Sequence, residues 1–466
     1  MWTKKLNKHR AFYRFFRFQQ ALLVLLDIHI ILYLKRSSNP GRIGRKAIRQ
    51  SRTNTRGAGT MEFTIQQNVL KEELSFIQGV VEKKSTIPVL SNILIESLGE
   101  ASIRIIGTDL DVTIRADVEA EIKTPGAICV SARKLFDIVR SLEAGSVNFK
   151  KEENEWVTMK AGRASFRLAG INREQYPEIP IFKSAPFVIP SDVFCTFIQN
   201  TSFAITAEQS RFTLSGAKFI YGEGVARMVT TDGHRLAFIE KSVTGQETDA
   251  KMDVLIPKKA LLELVKIARS SSGDVSFGED QNHIYFEIGS RLLITRKLAG
   301  NFPNYEMVMP RDNDKQVEFD LGDMKNVVRR ISLMSDERNR SIRMHIRDGE
   351  VEITAQSSEE GEGKEMLSAA YAGEETVLGF NNIYLQEFLN NINVAENTAQ
   401  AVEETSAKKA GASTAEGSNT AAAAARSSEK RTRILFDFKD SNAATQMRIA
   451  GETEFDYKYV VMPLRI

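Results

Sequence analysis

The sequence predicts an α+β fold made of three similar domains, and the main observation behind this prediction is an internal repeat. After residue 60, a short alternating strand followed by an amphipathic helix recurs six times, at intervals of about 60–67 residues. The stretches between these helices alternate β-branched and polar residues, which is typical of strands. A chain of 466 residues is also expected to form about three domains. Six strand-helix-strands units are therefore most simply three domains of two units each, with two helices on one face of antiparallel sheets.

The helices are predicted from the spacing of apolar residues. In the second and fourth units, apolar side chains recur at positions that share one helical face. These residues are Leu135, Ile138, Val139 and Leu142 in the second unit and Leu261, Leu264, Val265 and Ala268 in the fourth. The six units begin near Phe63, Ile128, Phe187, Val254, Val317 and Val377.

Two proline-containing segments, 176–180 and 303–310, predict the linkers between the domains. We expect domain 1 at residues 61–182, domain 2 at residues 186–309 and domain 3 at residues 315–466. Similar units that are related by an approximate rotation can close into a ring.

Residues 1–60 differ in composition from the rest of the chain. They contain 14 of the 63 basic residues and one of the 60 acidic residues, so residues 61–466 are net acidic. The apolar run at residues 21–34 is shorter than the roughly 20 residues that a membrane-spanning helix needs. We favour Met61 as the natural start, with residues 1–60 as translated upstream sequence outside the native fold. A membrane or targeting segment and a basic arm are the alternatives.

A second unusual segment covers residues 396–430. It is rich in Ala, Ser, Thr, Glu and Lys and has almost no large apolar residue. Such a composition buries too little apolar surface to offset the entropy lost on ordering. We therefore expect a disordered loop between two strands.

The two cysteines, Cys129 and Cys195, lie far apart in the sequence. They form neither a metal-ligand spacing nor a disulfide framework. We expect two small buried thiols in a protein from a reducing compartment.

Five short stretches carry a resemblance to a known family. They are IPVLSNILIE (Ile87 to Glu96), GTDLDV (Gly107 to Val112), TTDGHRLA (Thr230 to Ala237), FPNYEMVMP (Phe302 to Pro310) and YVVMPLRI (Tyr459 to Ile466). In this order and at this spacing they resemble the bacterial replication sliding clamp, the beta subunit of DNA polymerase III. The resemblance covers residues 61–466 nearly continuously, apart from the segment 396–430.

This resemblance implies a head-to-tail homodimer that closes into a ring around duplex DNA without sequence specificity. Such a ring needs no cofactor and has no catalytic activity, and it makes DNA synthesis processive. The implied partners are the clamp loader, the replicative polymerase alpha subunit, other polymerases, ligase and mismatch-repair proteins, which dock through short peptides. The implied location is the cytoplasm, at the nucleoid and the replication fork.

The family's peptide-docking pocket can be carried over residue by residue. The matching positions are Arg211, Leu214, Thr231, Gly233, His234, Arg235, Leu236, Pro303, Val308, Val460, Val461, Met462, Pro463, Leu464 and Arg465. This set combines adaptable apolar side chains with three arginines, Arg211, Arg235 and Arg465, which we expect at the rim. A linear peptide could bury a Leu or Phe anchor there and place a polar end on the rim.

Two positions depart from many relatives of the family. Thr213 stands where many have Tyr, and Met307 stands where some have Arg. Both departures concern the choice of partner peptide. A plainer interpretation of residues 460–462 is that they form only the last strand of a core.

Duplex DNA that slides through a ring must be held by its phosphates, which calls for Lys and Arg on the inward helices. The candidates are Lys84, Arg133, Lys134, Arg140, Lys258, Lys259, Lys266, Arg269, Lys325, Arg329 and Arg330. Each could also belong to an ordinary solvated helix face. Their clustering on the repeated helices of a net acidic body favours DNA contact.

Other function classes find little support in the sequence. The Asp232-Gly233-His234 run has no nucleophile or metal partner, and no Gly-x-Ser-x-Gly, P-loop or His-Glu-x-x-His motif occurs. Helix-turn-helix, zinc-finger and basic-zipper patterns are also missing, which argues against a sequence-specific DNA-binding protein. A protein anchored by residues 21–34 is the third alternative.

Overall fold

Each predicted helix begins directly at the end of a short strand in the computed structural model. The structure describes residues 60–82, 86–181, 187–208, 210–243, 250–271, 273–359, 361–392, 432–451 and 453–465. All of these residues belong to one compact unit, Gly57–Ile466. The predictions for residues 1–59, for Lys84 and for the segment 396–430 lie outside the described residues.

The first segment contains the first two units of the repeat. Its elements are β1 (Met61–Gln66), α1 (Gln67–Val80), β2 (Asn92–Leu98), β3 (Ser102–Thr108), β4 (Val112–Glu119), β5 (Glu121–Thr124), β6 (Ala127–Ser131), α2 (Ala132–Ser141), β7 (Ser146–Lys151), β8 (Trp156–Ala161) and β9 (Ala164–Ile171).

The second segment repeats this order without an equivalent of β5. Its elements are β10 (Phe187–Pro190), α3 (Ser191–Thr201), β11 (Gly216–Gly222), β12 (Val225–Thr231), β13 (Arg235–Ser242), β14 (Met252–Pro257), α4 (Lys258–Ser270), β15 (Asp274–Glu279), β16 (His283–Ile288) and β17 (Arg291–Arg296).

The third segment shows the same order again. Its elements are β18 (Lys315–Asp320), α5 (Leu321–Ile331), β19 (Ser341–Arg347), β20 (Glu350–Ser357), β21 (Gly361–Ser368), β22 (Thr376–Asn381), α6 (Asn382–Asn391), β23 (Arg433–Phe438), β24 (Thr445–Ile449) and β25 (Asp456–Val461). The six predicted strand-helix-strands units are thus confirmed. The last element described before residues 393–431 is the helix α6, and the next one is the strand β23.

The last residue of the strand also caps the helix that follows it. Side-chain oxygens of Ser131, Asp320 and Asn381 accept hydrogen bonds from backbone amides in the first turns of α2, α5 and α6. Pro190 and Pro257 occupy the same position before α3 and α4, where the pyrrolidine ring fixes φ. The chain therefore passes from strand to helix without a loop.

The two units of each segment exchange their first strands. β1 pairs with β7 and β6 pairs with β2, so each first strand joins the sheet of the other unit. The same exchange occurs between β10 and β15, β14 and β11, β18 and β23, and β22 and β19. The two helices of each segment pack against each other over the sheets. One unit would leave its sheet incomplete, which explains why the units come in pairs.

Sheets also run from one segment into the next. The last strand of the first unit, β4, pairs antiparallel with β17, the last strand of the fourth unit. In the same way β13 of the third unit pairs with β25 of the sixth. The segments are therefore joined by backbone hydrogen bonds as well as by the linkers, which is why residues 57–466 form one unit.

Buried charge reinforces the joint between the first and second segments. Arg291, the first residue of β17, donates from Nε to Glu73 Oε2 of α1 at 2.8 Å and from Nη2 to Glu73 Oε1 at 2.6 Å. Its guanidinium also binds Glu72 at 2.7 Å and stacks 4.5 Å from the centre of the Phe76 ring. The Arg291 and Glu73 side chains are 9% and 8% exposed.

Within the described residues, no helix is long and apolar enough to cross a membrane.

We predict that Glu73→Ala destabilises the protein by about 3 kcal/mol, because it leaves the Arg291 guanidinium buried with a single carboxylate partner. Urea unfolding followed by circular dichroism measures the change. Lys123→Gln is the control, since Lys123 forms an exposed ion pair with Glu62 and its loss should cost about 0.5 kcal/mol or less. Equal unfolding midpoints for the two variants would contradict the prediction.

Candidate peptide-binding pocket and nucleic-acid interface

The turn between β12 and β13 is held by its own side chains. Asp232 Oδ1 accepts from the His234 amide at 2.9 Å and from the Arg235 amide at 3.1 Å. Thr231 Oγ1 accepts from the Gly233 amide at 3.0 Å and donates to the Arg235 carbonyl. Gly233 has a φ of +90°, which disfavours any residue with a side chain. The Asp-Gly-His run is therefore a turn motif, and its carboxylate is bound to backbone amides.

A cleft of about 480 Å³, partly open to solvent, lies beside this turn. Four elements form it: the 3-10 turn Phe212–Leu214, the β12–β13 turn, the linker after β17, and the end of β25. It is lined by Leu214, Thr231, Gly233, His234, Arg235, Leu236, Pro303, Tyr305, Val308, Val460 and Met462. Its floor is an apolar cluster in which Val229, Leu236, Phe238 and Val460 are buried. A cleft of this composition suits a few apolar side chains of a linear ligand.

Ten of the fifteen pocket residues predicted from the sequence line this cleft. The other five, Arg211, Val461, Pro463, Leu464 and Arg465, are not part of its lining. Val461 is fully buried and pairs with Arg235 and Thr445 in the sheet, and the Leu464 amide donates to the Gly379 carbonyl at 2.8 Å. Val460 and Val461 belong to the last core strand, β25, and Met462 follows it. Because Val460 and Met462 also line the cleft, these residues do more than form a core strand.

Tyr305 is a lining residue that the sequence analysis missed. It lies between Pro303 and Val308 in the linker, and its ring centre is 6.1 Å from that of Phe238. Its position between two predicted pocket residues was the available signal. Burial raises the pKa of its hydroxyl above the ordinary value.

Arg235 was expected at the rim, and this expectation is wrong. The residue is only 7% exposed, because its side chain turns inward under the cleft. Nε donates to Asp232 Oδ2 at 3.0 Å, Nη2 donates to the Phe203 carbonyl at 2.8 Å, and Nη1 binds Glu387. Burial alone would lower the pKa of the guanidinium, but Tyr459 and Glu387 outweigh it and raise the pKa.

Arg211 lies at the surface beside the turn. Its Nη1 donates to the Asp232 carbonyl at 2.7 Å, and its Nε lies 3.1 Å from Glu208 Oε2. A Cβ added to Gly233 would lie 2.9 Å from the same Nη1. A side chain at position 233 would therefore require the Arg211 guanidinium to shift.

The candidate DNA-contacting residues fall into two groups. The first group lies on the helices. Its exposed members are Arg133, Lys134, Arg140, Lys266, Arg269, Arg329 and Arg330, and Lys325 is half-buried. Several of these also meet nearby acids: Arg140 lies 3.3 Å from Asp137, Lys266 lies 2.8 Å from Glu263, and Arg330 Nε lies 3.0 Å from Glu365. Such exposed pairs are weak and leave the cations accessible to an anion.

Lys258 and Lys259 form the second group, because their amino groups already bind other groups of the protein although both side chains are only partly buried. Lys259 binds Asp109 and donates to the Val80 carbonyl at 3.0 Å, across the joint between the first and second segments. Lys258 Nζ lies 3.4 Å from the Ile205 carbonyl, and burial lowers the pKa of this half-buried amine.

Within the described residues, no group of three or more His, Cys, Asp or Glu could hold a metal ion.

Three interlocked pairs of units, with a peptide-sized cleft at one joint, define the DNA-clamp class of fold. Family models described as the N-terminal, central and C-terminal domains of the DNA polymerase III beta subunit match residues 61–180, 188–304 and 306–397. The chain belongs to the DNA polymerase III beta subunit family.

Individual relatives agree with this assignment. The beta sliding clamp of Pseudomonas aeruginosa is 33% identical over 410 residues, which is 87% of this chain and all of the relative. That of Escherichia coli is 29% identical over 332 residues, 71% of this chain and 90% of the relative. Among solved structures, a P. aeruginosa clamp bound to griselimycin has a TM-score of 0.74 at 30% identity and covers 88% of this chain and all of its own. A Caulobacter crescentus clamp has a TM-score of 0.75 at 28% identity, with the same coverage.

The function follows from the family. The protein is a sliding clamp of DNA replication, a processivity factor without catalytic activity of its own. Its general partners are DNA and the polymerase and other clamp-binding proteins.

We predict that Gly233→Ala lowers the thermal unfolding midpoint more than Gly289→Ala does. Both glycines have positive φ, and a side chain at either costs about 1–2 kcal/mol. At Gly233 the added Cβ also meets Arg211, whereas nothing lies within 4 Å of the position at Gly289. Calorimetry of the two variants measures the difference, and equal midpoints would exclude the contact with Arg211 as a constraint on the turn.

Proposed function

We propose that two copies of this chain close head to tail into a ring around duplex DNA. The observation that best supports this proposal is how the last strands of the six units pair with one another. β4 pairs with β17 and β13 pairs with β25, so four of the six last strands are joined within one chain. The remaining two are β9 in the first segment and β21 in the third. In a second copy the same two strands are available, and two β9–β21 contacts would close a dimer.

Exposed apolar residues near β21 support this contact. Leu333, in the 3-10 turn after α5, is 73% exposed, and its neighbour Met334 packs beside Gly363 of β21. Met366 of β21 is also exposed. β9 pairs with β8 along its length but with β6 at only two positions near its end, so most of its other edge is free among the described residues. The proposed domains keep the boundaries 61–182, 186–309 and 315–466.

The exposed cations of the helices would hold the phosphates of the encircled duplex. Arg133 and Lys134 at the start of α2 and Arg329 on α5 are accessible, whereas Lys258 binds the Ile205 carbonyl of its own segment and Lys259 binds Asp109 across the first joint. A small groove between α5 and α6 places Lys325 and Arg329 beside the amides of Gln386 and Asn390, groups that can also bind phosphate.

The cleft beside β13 would receive short peptides of partner proteins. Its apolar floor suits a Leu or Phe anchor, and the exposed side chains of Phe212, Met307 and Met462 extend the apolar surface at the cleft. Thr213 and Met307, which replace larger or charged residues of relatives, would set partner preference. The proposed partners are the polymerase alpha subunit, other polymerases, ligase, mismatch-repair proteins and the clamp loader, in the cytoplasm at the replication fork.

We predict that the protein, once loaded, stays on nicked circular DNA and slides off after linearisation. A chain starting at Met61 would be loaded with its loader and ATP, and gel filtration before and after cutting would measure retention. Encirclement holds a ring on a circle without tight binding, so the ends of linear DNA release it. Equal retention on both forms would show direct gripping and overturn the ring.

A variant tests the proposed closure in the same assay. Leu333→Asp should lower retention on circles and shift the protein towards monomer in sedimentation. Ile181→Asp is the matched control, because Ile181 is 79% exposed but lies directly after the first linker, away from β9 and β21 in the sequence. Loss of retention in both variants would point to a general effect of the added charge.

We predict that Arg133→Gln combined with Lys134→Gln weakens DNA binding and lowers its salt dependence. For every phosphate that the helix no longer neutralises, the slope of log K against log salt should fall by about 1. Fluorescence anisotropy with labelled duplex measures the slope. Lys259→Gln is the control and should leave the slope unchanged, because the amino group of Lys259 is bound to Asp109. An unchanged slope in the double variant together with a smaller slope in Lys259→Gln would exclude α2 as a phosphate-binding helix.

A further inference from the structure

A chain of contacts through Arg235 connects the third segment to the turn between β12 and β13, which lines the cleft. On one side, the guanidinium binds Glu387 of α6, lies 3.3 Å from the Tyr459 hydroxyl and stacks 4.4 Å from the centre of the Tyr384 ring. On the other side, it donates to Asp232 Oδ2 at 3.0 Å. Glu387 itself is not among the lining residues of the cleft.

Asp232 passes this contact on to the turn. One of its oxygens binds the Arg235 side chain, while the other accepts from the amides of His234 and Arg235. The turn supplies four consecutive lining residues, from Gly233 to Leu236, and the His234 carbonyl accepts from the Met462 amide at 3.0 Å. The orientation of Arg235 therefore affects the part of the cleft where the second and third segments meet.

Glu387 supplies one of the two carboxylates that bind the Arg235 side chain, and Asp232 supplies the other. The half-buried Lys258 adds a second cation near Glu387. Without Glu387, the buried guanidinium would keep Asp232 as its one carboxylate partner among the described residues. The guanidinium would then gain by moving towards water, and Asp232 would lose its fixed partner.

The internal repeat shows what is particular to this joint. Arg291 occupies the equivalent position at the first joint: it begins β17, follows a positive-φ glycine by two residues, and binds Glu73 on the helix of the neighbouring segment. Three residues before Arg291 stands Ile288, which is buried and apolar, whereas Asp232 stands three residues before Arg235. Only the second of these two joints therefore connects its arginine to the backbone of a turn through a carboxylate.

We propose that Glu387 is a positioning residue of the peptide cleft: through Arg235 and Asp232 it holds the 232–236 turn in the shape that a peptide needs, although it does not line the cleft itself. This inference rests on the proposed peptide-binding function. It couples peptide affinity to the joint between the second and third segments. By linkage, a bound peptide must stabilise that joint in turn.

The test is the affinity of Glu387→Gln for a fluorescein-labelled pentapeptide that ends in Leu-Phe, measured by anisotropy. The wild-type protein should bind, and the variant should bind about three- to tenfold more weakly. Glu387→Asp restores the charge with a shorter reach and should give an intermediate Kd. Hydrogen–deuterium exchange of the free proteins should show faster exchange at the amides of His234 and Arg235 in Glu387→Gln. A role in stability alone would leave that exchange and the Kd unchanged at temperatures well below unfolding.

Two controls separate the possible outcomes. Glu375→Gln removes an exposed ion pair with Arg347 elsewhere in the third segment and should leave the Kd unchanged. Val308→Asp places a charge in the cleft and should abolish binding. If the wild-type protein does not bind the peptide, the proposed pocket function fails and this inference fails with it. If the wild-type protein binds and Glu387→Gln binds equally well, the pocket stands and the positioning role alone is overturned.

Discussion

The pairing of strand edges is the constraint on which the rest of this structure depends. A β-α-β-β-β unit has two open sheet edges, and an open edge with unpaired amides and carbonyls invites association. Exchange of the first strands joins the two units of each segment, and pairing of β4 with β17 and of β13 with β25 joins four of the six last strands. The last strands left over are β9 and β21, and the proposed ring would pair them between two copies. In that ring, the contact between copies would repeat the strand pairing that joins the segments within one chain.

The joints between segments combine these backbone bonds with charge, and this combination explains their specificity. An apolar contact tolerates sliding, whereas Arg291 with Glu72 and Glu73, or Arg235 with Glu387, fixes one register because a buried ion left unpaired is costly. The stacked rings of Phe76 and Tyr384 hold each guanidinium plane in place. Rigid joints suit a ring that must keep its curvature, and the two arginines occupy equivalent positions of the repeat.

Local patterns in the sequence predicted the six helices and their units, because apolar periodicity and capping act over a few residues. They could not predict the exchange of first strands or the burial of Arg235, since these depend on partners up to 224 residues away. The same limit explains Lys259, whose exposed appearance on a helical pattern hid its contact with Asp109, 150 residues away. Most of the residues that line the cleft were named by resemblance to a family. Tyr305, which lies within the resembling stretch FPNYEMVMP but was not assigned to the pocket, lines it as well.

Comparison of the two joints suggests why the cleft lies at the second one. At the first joint, Tyr285, Leu292 and Ile294 form a buried cluster, and Ile179 of the first linker packs on it. The equivalent cluster at the second joint contains Val229, Leu236 and Phe238, and the aromatic residues Phe302 and Tyr305 of the second linker cover only part of it. The open remainder is bounded by Val308 and by Met462 beyond the last strand. A peptide at the proposed site would replace the contact that a linker side chain makes at the first joint, so another molecule would supply the apolar cover of the second joint.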